Sequence, residues 1–150
     1  MKGLLAATAV LLCCAHSAAA GEELDRPLFW PTVRYSWPEK LSVGGALQPQ
    51  LGGALDRLIL SGTIGRGGYK VAVGLGAFGG NLMAGTAVSA TVTRTTAHPL
   101  GAAPHQTFVG VEPQIMAANI SIKGGPAFRI AGQAPSKNRL RFNVSVGYGF

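Results

Sequence analysis

From Thr32 onward, apolar and polar side chains alternate with period two in one segment after another. That spacing places successive residues on opposite faces of an extended strand. The longest unbroken run is the last: Leu140, Phe142, Val144, Val146, Tyr148 and Phe150 fall on one face, with Arg141, Asn143, Ser145, Gly147 and Gly149 on the other. Leu58 to Ile64 and Tyr69 to Phe78 read as a hairpin with a two-residue turn at Arg66-Gly67. This turn pairs Ile64 with Tyr69, and so keeps Leu58, Leu60 and Ile64 on the same face as Val71, Val73 and Leu75. Two weaker strands precede the hairpin. In the first, Val33, Tyr35 and Trp37 oppose Arg34 and Ser36; in the second, Leu41, Val43, Gly45 and Leu47 oppose Ser42, Gly44 and Ala46. Pro38-Glu39-Lys40 is the turn between them. Three more strands follow the hairpin, at about Leu82 to Arg94, Thr107 to Ala117 and Ile120 to Ile130. With the closing run the pattern predicts eight. Pro113 predicts a bulge, and Gly124-Gly125-Pro126 a break in regular pairing.

The first twenty residues differ in character. Lys2, the apolar Leu4 to Cys14, and Ala18-Ala19-Ala20 before Gly21 have the layout of a secretory signal, too short for a spanning helix. Cys13 and Cys14 are the only cysteines, so the processed chain of 130 residues (150 minus 20) carries no thiol for a disulfide or a metal. Residues 21–31 read as a periplasmic lead-in and 32–150 as one domain. No later stretch reaches the roughly 18 consecutive apolar residues of a membrane helix. Twenty glycines follow Gly21, most of them inside the alternating segments, where they ease curvature and leave room for large inward neighbours.

Strands of about 9–11 residues, with aromatics near their ends and small or polar residues behind, meet the requirements of a transmembrane β-barrel. Together with the signal and the terminal Tyr148-Gly149-Phe150, they make the chain resemble the small eight-stranded bacterial outer-membrane barrels. The resemblance implies an all-β, antiparallel up-and-down barrel, monomeric and without a cofactor. It would sit among outer-membrane lipids, and the barrel-assembly machinery would insert it through Leu140 to Phe150. Trp30, Trp37, Tyr69, Tyr148 and Phe150 are then expected in the membrane-interface belts. With both termini periplasmic, the connection at 48–56 is long for the side where short turns are usual.

Charged residues make up only 13 % of the chain, yet the net charge is +7, or +6 without Lys2. No basic run or recognition helix points to nucleic acid, which leaves anionic headgroups as the counter-charge. Lys70, Glu112, Lys123, Arg129 and Arg141 share the inward parity of their strands. If strands six and seven pair around Ala117-Ala118, Glu112 lies opposite Lys123, and a shift of two makes the pair diagonal. A lone carboxylate among four cations in a dry lumen would be paired, since leaving it unpaired costs several kcal/mol. Such a network would fill a closed barrel and specify its register; the alternative is a charge-selective conduit or switchable gate. Eight-stranded interiors are just wide enough for side chains, which weighs against a resting pore.

Catalytic signals are weak. His98 and His105 lie in a proline-broken connection with no acid nearby, no Ser-His-acid geometry is forced, and GGYKVAVGLG is a strand rather than a phosphate loop. The expected function is an integral outer-membrane barrel of structural or surface-interaction type. A small gated channel or transporter for small or anionic solutes is the alternative, followed by a lipid-acting barrel enzyme or a soluble periplasmic barrel.

Overall fold

The computed structural model describes residues 28–51, 57–78, 84–132 and 139–149. In them eight antiparallel strands follow one another around a closed barrel. They are β1 (Leu28–Ser36), β2 (Lys40–Gln48), β3 (Arg57–Gly65), β4 (Gly68–Phe78), β5 (Ala84–Thr95), β6 (Thr107–Ala117), β7 (Ile120–Ala131) and β8 (Leu140–Tyr148). Every neighbour in space is a neighbour in sequence except at the seam, where β8 returns to β1 from Val33↔Tyr148 to Ser36↔Ser145. The expected signal at 1–20, most of the lead-in and Phe150 lie outside the described residues.

The alternation translates directly into an inside and an outside. Outward positions such as Val71, Ile115, Ile122 and Phe142 are 58–71 % exposed on the barrel surface. The buried inward positions are mostly polar or charged, Thr32, Thr91, Gln114 and Asn143 among them, while few are apolar. In the β3–β4 hairpin Ile64 pairs with Tyr69, as the two-residue turn requires. One difference concerns the start of the wall. β1 begins at Leu28, so residues 28–31 of the expected lead-in pair with β2, from Leu28↔Gln48 to Pro31↔Gly45. Pro31 obscured this strand in the sequence, but it lies outside the β1–β8 ladder, where a missing N–H leaves no partner unsatisfied. Around Gly124-Gly125-Pro126, β7 keeps its register with β8, and the break falls only on the β6 side, opposite residues 111–113. Pro113 itself sits in register with Val88 of β5.

The lumen has two unlike ends. Toward the termini, Ala46, Ile59 and Met116 form an apolar cluster, against which Trp30, Phe78 and Ala87 pack. Small residues make that packing possible, because a Cβ at Gly85 would stand 2.3 Å from the Phe78 ring. At the other end, the connection Trp37-Pro38-Glu39 folds across the mouth. Pro38 and Glu39 are fully buried. The Gly67 N–H donates to the Glu39 carbonyl at 2.9 Å, and the Leu100 N–H, from the β5–β6 connection, donates to the Pro38 carbonyl at 2.9 Å. The Trp37 ring meets Phe108 of β6 edge-on, with centroids 5.2 Å apart. These contacts tie the β1–β2 tip to the far side of the barrel.

At the seam, Gly147 makes room for Arg34: a Cβ there would lie 2.5 Å from Arg34 Cγ and 2.5 Å from the Val33 carbonyl. Gly147→Ala is therefore expected to destabilise the barrel by about 1–3 kcal/mol through overpacking. The outward change Val144→Ile should be close to neutral. The midpoint of thermal unfolding would read both.

Candidate functional site

On the inward face of β4, Lys70 stands between Gly68 and Ala72, in register with Thr63 and Thr93. Its Nζ lies 2.8 Å from Glu112 Oε1 on β6 and 3.3 Å from Glu39 Oε2 in the β1–β2 connection. One ammonium thus bridges two carboxylates, each only about 1 % exposed. Other donors reach the same two carboxylates. Ser36 Oγ donates to Glu39 Oε2 at 2.8 Å, and Thr63 Oγ1 donates to Glu39 Oε1 at 2.5 Å. Asn143 Nδ2 on β8 donates to Glu112 Oε1.

Two further cations complete the cluster. Arg34 on β1 is buried, and its Nη1 donates to Ser145 Oγ at 3.4 Å. Lys123 on β7 is buried beside its register partners Gln114 and Ser145. Both lie within electrostatic reach of Glu112 and Glu39. The chamber therefore brings Arg34, Lys70 and Lys123 together with Glu39 and Glu112. The space left among them is about 10 Å³, room for one water-sized guest. Nearer the termini Arg57 is fully buried, with Nη1 donating to the Gln48 carbonyl at 3.1 Å.

Of the five inward charges singled out from the sequence, Lys70, Glu112 and Lys123 converge here. Arg129 and Arg141 do not join them. They lie at the mouth, Arg129 half-buried and in register with Phe108, Arg141 exposed and in register with Ala127. The register of β6 and β7 puts Gln114, not Glu112, opposite Lys123, so Glu112 is diagonal to Lys123 and makes its close ion pair with Lys70. Two members went unrecognised. Arg34 had the signal, inward parity beside Ser36, whereas Glu39 lies in a turn, where no periodicity indicates a direction.

Among the interface aromatics, Tyr69 and Tyr148 stand exposed on the outer face. Trp30 and Trp37 do not. Trp30 packs on the apolar cluster inside the barrel, and Trp37 turns over the mouth onto Phe108. Period two gave Trp30 no clear face because Pro31 interrupts the pattern, and Trp37 lies one residue beyond β1, where strand parity no longer applies. His98 and His105 are exposed, and no group of three or more metal-ligating side chains occurs among the described residues. An apolar groove on the outer wall, floored by Gly45 and Gly62, is overhung by the Phe29 ring.

Comparisons with protein-family models, curated proteins and solved structures found no match. What the chamber can do therefore follows from its own chemistry. Desolvation offsets most of the Coulombic gain of a buried ion pair, while removing one partner leaves a charge that costs about 3–5 kcal/mol. Lys70→Met should accordingly destabilise the barrel by about that amount. Removing Glu112 with it, in Lys70→Met/Glu112→Gln, should cost less than the sum of the two single losses, because the ion pair is then removed as a unit. Urea unfolding of the three variants provides these values; strictly additive losses would show that the bridge is not a coupled unit.

Proposed function

We propose that this protein is an integral β-barrel of the bacterial outer membrane, of structural or surface-interaction type, with its lumen filled by the Lys70-centred network. The observation that carries this reading is the inverted polarity of the barrel. Its outer face is lined with exposed Val, Leu, Ile and Phe on strand after strand, and its interior is lined with buried Thr, Ser, Gln, Arg, Lys and Glu. Soluble proteins rarely expose apolar surface so continuously, whereas hydrocarbon requires it, together with a closed sheet that has no unpaired edge. Strand lengths of 9 to 12 residues suit the span. Tyr69 and Tyr148 would lie near the headgroups.

In this orientation the termini face the periplasm, the β1–β2, β3–β4, β5–β6 and β7–β8 connections face outward, and Leu140 to Phe150 engages the barrel-assembly machinery. The lipids are the permanent partners, and the chain acts as a monomer. Extraction from membranes should require detergent, and the unboiled protein should run with a compact, heat-shifted mobility. Recovery as a water-soluble monomer would favour the soluble periplasmic barrel instead.

A gated channel for small or anionic solutes is the second reading, favoured by the cation-rich polar chamber just under the mouth. The fill of the lumen argues for a closed resting state, so the native protein is expected to leave the conductance of planar bilayers at baseline. Steady current that changes in Glu112→Ala would establish the channel reading.

A further inference from the structure

We propose that the chamber beneath the β1–β2 connection binds one small monovalent inorganic anion, of the chloride class, on Arg34. This goes beyond the membrane-barrel reading and does not require the lumen to conduct. Arg34, Lys70 and Lys123 share the chamber with two carboxylates among the described residues, and Lys70 is held between both. Arg34 is 4 % exposed, and beyond its bond to Ser145 its Nη2 has no hydrogen-bond partner among the described residues. Ser145 Oγ accepts from Arg34, which leaves its own O–H to donate. The cavity lined by Arg34, Lys123 and Ser145 thus brings positive charge and the Ser145 O–H to one point. Its other charged walls are Lys70 and Glu112, whose carboxylate is engaged by Lys70 and Asn143. A space with room for one water-sized guest takes a single-atom ion once the flexible side chains of Arg34 and Lys123 give way slightly, and it excludes tetrahedral anions such as phosphate or sulfate. Water would fill the same volume but would bring no counter-charge to the buried Arg34 guanidinium.

The test is to refold the full chain from urea into detergent with bromide present, so that the ion can enter as the barrel closes. Crystals of this material should show one anomalous peak in the lumen beside Arg34. In solution, the unfolding midpoint should rise saturably with chloride or bromide, but not with sulfate at equal ionic strength, and Arg34→Met should abolish the difference. If Arg34→Met does not fold, Ser145→Ala should weaken the halide dependence several-fold. The proposal is overturned if no peak appears in the lumen, if chloride and sulfate act alike, or if the dependence survives unchanged in the folded variant.

Discussion

A tube of eight strands turns roughly half its side chains into a space too narrow for bulk water. Every charge placed there has to find its counter-charge within the lumen. In this barrel that constraint falls on Lys70, whose ammonium joins the carboxylate of a wall strand to that of a turn. The bridge links sequence positions far apart, Glu39, Lys70 and Glu112, and so makes wall register and mouth closure parts of one arrangement. Its contribution to net stability is modest, since desolvation offsets attraction. Its contribution to uniqueness is larger, because any shift of register would leave one of the three buried and alone.

The division of the lumen follows from the same constraint. Near the termini the interior is packed as a small apolar core around Ile59, Met116 and Trp30, with Arg57 buried toward the same end on the Gln48 carbonyl. Beyond it the lining becomes hydroxyl, amide and ionic, and the β1–β2 tip seals it under backbone hydrogen bonds from Gly67 and Leu100. A polar compartment closed at one end by apolar packing and at the other by a turn is unlike an open pore. It fits a protein that presents its surface, rather than its interior, to the surroundings.

Period two carried most of the architecture, because each strand pairs with its sequence neighbour and one face is uniformly apolar. The register of the β3–β4 hairpin was legible, since the short turn leaves one pairing for Ile64 and Tyr69, while the strands run one residue further at three of their four ends. Where the pattern meets proline or a turn, legibility stops. Pro31 concealed the first four residues of β1, and Glu39 and Trp37 take their direction from the path of a connection, which depends on Phe108 and Leu100 across the barrel. The partner of Glu112 was out of reach for a related reason. Inward parity identifies which charges share a lumen, but which of them touch depends on shear and on side-chain length across it. Lys123 is diagonal to Glu112 on the adjoining strand, yet Lys70, two strands away, makes the close contact.

The inward placement of Trp30 and Trp37 changes what light can report about this molecule. They are the only two indoles in the chain, and they cap opposite ends of the interior, one on the apolar cluster and one above the charged chamber. Ultraviolet emission from this barrel is therefore a gauge of how its two closures are seated.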